Sequence, residues 1–205
     1  WYGYIWMGFF NILFFFCLIE LGISFITSHD YSFWPLIAST MISIWALYKG
    51  LKAPSIVEHE LKNHKLKDFS VVQISDLHIG MLYLRKAWLN NVVQQIIRLN
   101  PQVIVITGDL VEGSYKEVSE DLDALKDLPT TIPKFYITGN HEYIHGGGIW
   151  EKRLNELGFT VLHNSHHIIR YKNADIMIAG VPDKMAKRFN RNLNSRPDLA
   201  LKSEQ

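Results

Sequence analysis

Apolar and polar positions divide the chain near residue 50. Residues 4–27, YIWMGFFNILFFFCLIELGISFIT, are apolar almost throughout. That run matches the roughly 20 residues a bilayer-spanning helix needs. A polar break, SHDYS, follows, and then a second, shorter apolar run, FWPLIASTMISIWALYKG at 33–50. The pattern predicts a membrane region over 1–50 with two transmembrane helices. Trp1, Tyr2, Tyr31, Trp34, Trp45 and Tyr48 lie near the span ends, as interfacial aromatics do. Two runs without an obvious small-residue cleavage site fit a cleaved signal peptide poorly. Glu20 is an acid inside the first run, a costly position that usually faces a bundle interior. The sequence shows no partner for it.

Residues 51–68, with Pro54 and mixed charges, read as a juxtamembrane linker. Beyond it, over 69–205, strand and helix patterns alternate. FSVVQIS (69–75), QVIVIT (102–107) and KFYIT (134–138) are apolar runs of strand length. RKAWLNNVVQQIIRLN (85–100) places Trp88, Val92, Ile96 and Leu99 at helical spacing and stops before Pro101. YKEVSEDLDALKDL (115–128) predicts one amphipathic helix ending before Pro129. GIWEKRLNELG (148–158) predicts a helix closed by Gly158. TVL (160–162), HIIRY (167–171) and DIMIAGV (175–181) predict further strands. Such alternation implies an α/β fold whose mainly parallel sheet is covered by helices. The active crevice of such a sheet lies beyond the carboxyl ends of its strands.

Charge narrows the functions. Over 205 residues, 21 Lys and Arg oppose 20 Asp and Glu. That balance gives no reason to expect nucleic acid as a partner. The single cysteine, Cys17, excludes an intramolecular disulfide and a thiolate metal cage. Lys49, Lys52, Lys62, Lys65 and Lys67 follow the second span, whereas the 28–32 turn has no lysine or arginine. The positive-inside tendency therefore predicts a multi-pass protein of the cell membrane with its polar domain in the cytoplasm. The chain opens on Trp1 and stops in a polar stretch, so a C-terminally truncated fragment is expected.

The ends of the first three strands carry the chemistry. SDLH supplies Asp76 and His78, TGDLVE supplies Gly108 and Asp109, and TGNHEY supplies Gly139, Asn140, His141 and Glu142. Asp76 and Asp109 are 33 residues apart, and Asp109 and Asn140 are 31 apart. Each interval is about one strand–helix unit, so distant residues converge on one sheet edge. Asp76 and His78 can aim at one ion, Asp109 can bridge two, and Asn140 offers a neutral oxygen. Oxygen and imidazole donors without sulfur suit Mn, Fe or Zn. Two divalent ions about 3.5–4 Å apart generate hydroxide and clamp an in-line displacement at phosphorus. His141 can protonate the leaving oxygen or serve as a further ligand. His145, in the glycine-rich loop, is placed near substrate. His163, His166 and His167 read as loop and strand-start residues. His29, His59 and His64 read as membrane-interface or linker groups.

SDLH, GDLVE and GNHE resemble the D-x-H, G-D and G-N-H-[DE] blocks of calcineurin-like metallophosphoesterases, over about residues 69–183. With the preceding spans and AGVPD, the resemblance is to the membrane-associated bacterial branch. It implies a four-layer αββα sandwich, incomplete here, with a dinuclear site. By resemblance, Asp76 and His78 hold the first metal, Asp109 bridges, Asn140 holds the second, His141 is catalytic and Glu142 supports them. The family's later histidine and its G-H-x-H block do not appear after Asp183. The implied activity is hydrolysis of a phosphodiester or pyrophosphate, a lipid-linked one included, by metal-activated hydroxide. The competing expectation is a degenerate phosphoesterase fold that binds or regulates without turnover.

Overall fold

A computed structural model describes residues 2–27, 33–61, 66–189 and 193–202. The turn at 28–32, with His29 and Tyr31, lies outside them, as do Trp1, Lys62, His64 and Lys65. The chain divides into two compact units, Trp1–Ala53 and Pro54–Gln205.

The first unit holds helices α1 (Tyr2–Thr27) and α2 (Trp34–Leu51), with Pro35 in the first turn of α2, where its missing N–H costs nothing. Among the described residues one helix is long and apolar enough to cross a membrane, over the 25 residues Gly3–Thr27. The second expected span forms a helix of 18 residues but falls short of that standard, because Ser39, Thr40, Ser43 and Lys49 dilute its apolar character. Glu20 does have a partner. Its carboxylate accepts the indole N–H of Trp34 on α2 and, at 3.1 Å, the hydroxyl of Ser24. Phe16 meets the Trp34 ring edge-on at 5.3 Å. The acid thus faces the other helix and is largely shielded.

The second unit is built on a parallel sheet of β1 (Val71–Ile74), β2 (Val103–Ile106), β3 (Lys134–Tyr136) and β4 (Thr160–Val161), in that spatial order. The helices over Lys86–Leu99 and Gly148–Glu156, on the connections between neighbouring strands, pack on one face. Ile74, Ile104, Ile106 and Tyr136 point to that face. They pack against Leu89, Val93 and Ile96 of α3 (Lys86–Leu99) and Trp150 and Leu154 of α6 (Gly148–Glu156). The alternate positions Val103, Phe135 and Leu162 point the other way. There they meet Ile169 and Ile178 of an antiparallel hairpin, β5 (Ser165–Tyr171) and β6 (Ala174–Gly180). The expectation of helices covering the sheet therefore holds for one face only. A period-2 pattern of buried residues on both faces says that each face is covered, not by what.

Two helical expectations change in detail. Leu99 is exposed, and the buried stripe of α3 is Leu89, Val92, Val93 and Ile96. The helix ends where Asn100 turns left-handed (φ 44°) before Pro101. The single helix expected over 115–128 is instead a short α4 (Tyr115–Val118) followed by a 3-10 helix, Asp121–Asp127. Ser114 and Glu117 close a capping box on α4. Asp121 then binds the backbone N–H of Lys86 and the guanidinium of Arg85, each at 2.9 Å, which pins the chain to the start of α3. The tighter three-residue winding brings Leu122 and Leu125 onto one buried line. Gly158, at φ +83°, follows α6 as expected. Helices α5 (Asn140–Ile144), α7 (Ala186–Phe189) and α8 (Pro197–Ala200) complete the unit.

Candidate metal centre

Pairing continues past the strands. The N–H groups of Asp76, His78 and Ile79 donate to the carbonyls of Gly108, Asp109 and Leu110 at 3.1, 3.0 and 2.8 Å. The loops after β1 and β2 therefore run side by side beyond the sheet edge. Three residues in them hold left-handed backbone: Asp76 (φ 57°), His78 (φ 45°) and Asp109 (φ 50°). Each such residue costs about 1–2 kcal/mol, and strain of this kind clusters where function demands a particular aim. The result is convergence. Ligand atoms of Asp76, His78 and Asp109 lie within 4.8 Å of one another.

Gly108 and Gly139 make the approach of the next loop possible. A Cβ on Gly108 would lie 2.4 Å from the backbone nitrogen of Gly139, and one on Gly139 would lie 2.2 Å from Asp109 Oδ1. Asn140 opens α5 between Gly139 and His141, and the His141 N–H donates to Asp109 Oδ1 at 2.9 Å. Asp109 is thus tied to the third strand end by that bond.

Glu142 sets this spacing. Fully buried, its carboxylate accepts four backbone N–H groups: Gly139 at 2.6 Å, Leu110 at 2.7 Å, Asp109 at 3.0 Å and Val111 at 3.3 Å. It clamps the loop after β2 to the loop after β3. Burial pushes its carboxyl above the ordinary 4.5, the four N–H groups oppose that rise, and the Asp109 charge adds to it.

Glu112, three residues beyond Asp109, went unassigned in the sequence. Its Oε2 lies 2.5 Å from His141 Nδ1 and 3.0 Å from His78 Nδ1, and its Oε1 lies 3.2 Å from His145 Nε2. One carboxylate therefore gathers three histidines. The His78 and His141 rings meet edge-on at 4.5 Å. Burial acts to raise the Glu112 pKa, but hydrogen bonds to His78 and His145 and the charges of His141 and His145 outweigh it, and the carboxyl titrates below 4.5. The only sequence signal was an acid in GDLVE at a spacing that lets it turn back on its own strand end. Glu112, His78 and His141 form a second ligand-competent group beside Asp76, His78 and Asp109.

Outside this cluster, His166 binds the Ala200 carbonyl at 2.9 Å and His167 lies against Phe135. Both belong to β5. His59 is exposed in the segment after α2.

The donor chemistry fits divalent ions: carboxylates and imidazoles converge within reach of one centre, on backbone strained to present them. An α/β unit that gathers such donors beyond the carboxyl edge of a parallel sheet is built to hold divalent ions. The chain belongs to the calcineurin-like phosphoesterase family, which it matches over residues 69–195. Members of this family bind divalent metals. An uncharacterized metallophosphoesterase of Helicobacter pylori is 34% identical over 143 residues, covering 69% of this chain and 37% of the relative. One of Campylobacter jejuni is 32% identical over 170 residues, covering 78% and 42%. A zebrafish (Danio rerio) relative named transmembrane protein with metallophosphoesterase domain is 28% identical over 163 residues, covering 74% and 36%. The chain spans about two fifths of the length of these relatives.

Proposed function

We propose that this chain is part of a membrane-anchored phosphoesterase that hydrolyses a phosphodiester or pyrophosphate, with lipid-linked esters as the favoured substrates. The observation that carries the reading is the convergence of Asp76, His78 and Asp109 from two strand ends onto one centre. When bound, two divalent ions, Mn, Fe or Zn, supply Lewis-acid stabilisation of phosphoryl charge and activate water. Asp76 and His78 would hold the first ion, Asp109 would serve both and Asn140 would serve the second. Glu112, whose Oε2 lies 2.5 Å from His141 Nδ1, positions the imidazole so that a proton carried on Nε2 can pass to the departing oxygen. It orients His78 in the same way. Glu142 keeps Asp109 and Asn140 at their mutual distance. His145 borders the substrate. The full four-layer sandwich and its later histidine ligands belong to the same proposal.

The apolar Gly3–Thr27 helix and the transmembrane name of one relative support anchoring. Two spans with the lysine-flanked side in the cytoplasm is the arrangement we propose. A binding role without turnover is not favoured, since the ligand-competent groups are brought together.

The test is Asp109→Asn in the complete protein. It is expected to lose Mn affinity by calorimetry and metal-dependent hydrolysis of a chromogenic phosphodiester together. Near-normal affinity and turnover would remove the bridging role. His141→Ala is expected to keep metal while losing most turnover.

A further inference from the structure

Residues 184–191, KMAKRFNR, contain four Lys or Arg and no acid, in a chain whose net charge is only +1. Lys184, Lys187 and Arg188 are exposed. No ion pair among the described residues uses them. Their place is tied to the metal centre by two contacts. The Asp183 N–H donates to the Thr138 carbonyl at 3.2 Å, directly before Gly139. Phe189 stacks on Tyr143 of α5 at 5.9 Å, which joins α7 to the helix that carries Asn140 and His141.

Apolar groups share this rim. Phe189 remains 51% exposed despite the stack, and Ile144, at 52%, follows Tyr143 on α5. Ile149 is exposed beside the glycine loop, its methyl within 3.1 Å of where a Cβ on Gly146 would lie. Single exposed apolar residues mean little. Here they accompany cations that no ion pair among the described residues uses, beside the helix that carries Asn140 and His141, in a chain that also carries a membrane-length apolar helix.

We propose that this rim docks on an anionic lipid bilayer. Lys184, Lys187 and Arg188 meet lipid phosphates, while Phe189, Ile144 and Ile149 enter the boundary between headgroups and acyl chains. The inference rests on the membrane reading above and deepens it: the centre opens onto headgroups, so its substrate is a phosphoester that stays in the lipid surface.

The experiment uses the full chain reconstituted in vesicles of phosphatidylcholine alone or mixed with phosphatidylglycerol, followed by limited trypsin digestion. Cleavage after Lys184, Lys187 and Arg188 is compared with cleavage after the exposed Arg170 and Lys172 of the β5–β6 hairpin. Anionic vesicles are expected to slow the first set by about tenfold or more and to leave the second unchanged. The protection disappears in about 1 M salt, where the Debye length is about 3 Å. It also disappears at Lys184 in the K187E/R188E double variant, whose unchanged hairpin cleavage reports intact folding. Equal rates in both vesicles, with protein that resists alkaline carbonate extraction, overturn the docking and leave the anchor standing. Protection of 184–188 in protein that carbonate releases overturns the anchor and supports the docking.

Discussion

Glu142→Gln keeps size and shape but exchanges one acceptor oxygen for an NH2 group. In the parent, Oε2 takes the N–H groups of Gly139 and Asp109 while Oε1 takes those of Leu110 and Val111. Whichever way the amide turns, its oxygen keeps one pair and its NH2 confronts the other. Two buried donors are then left without acceptors, each at about 1–3 kcal/mol. Removing a carboxylate whose pKa burial has raised returns part of that loss. A net cost of about 2–4 kcal/mol remains, a large share of the 5–15 kcal/mol typical of a domain. For a unit of this size, each kcal/mol lowers Tm by about 2–4 °C, so a fall of about 5–15 °C is expected. Calorimetric unfolding of the full chain in detergent micelles at pH 7 with chelator reads this directly. A Tm within about 1 °C of the parent would refute the clamp, because four N–H bonds on one buried carboxylate cannot be halved without cost.

Three further outcomes follow from other contacts. Gly139→Ala would place a Cβ 2.2 Å from Asp109 Oδ1 and is expected to weaken Mn binding by about tenfold or more, whereas Gly148→Ala, with nothing within 4 Å, leaves it unchanged; equal affinities would refute the close approach. Glu112 has a depressed pKa, so its stabilisation is present above about pH 4.5 and is lost as pH falls through the lower folded value. Glu112→Gln is therefore expected to flatten the decline of Tm below that pH in metal-free protein, and an unchanged slope would count against the histidine cluster. Trp34→Phe removes the donor facing Glu20 and is expected to destabilise the helical hairpin by about 0.6–2 kcal/mol in SDS titrations followed by circular dichroism, with no shift as the contrary result.

The meeting of Asp76, His78 and Asp109 was readable because these residues are local to strand ends. A continuous apolar run followed by Asp76 and His78, then another followed by Asp109, places those side chains at one sheet edge once the strands are parallel neighbours. The paired glycines signalled that backbone must pass closely there. The strand pattern likewise showed that both sheet faces are buried.

Other features had no local signature. Glu112 becomes the partner of three histidines only because the loops after β1 and β2 stay paired and α5 folds over them. Glu142 looks like an ordinary acid in a helical first turn until burial turns it onto four N–H groups of two loops. Glu20 found Trp34 only through the packing of α1 on α2. Periodicity reports which positions are buried, since burial acts on each side chain separately. Which groups meet depends on crossover handedness and loop pairing, and these are properties of the assembled chain.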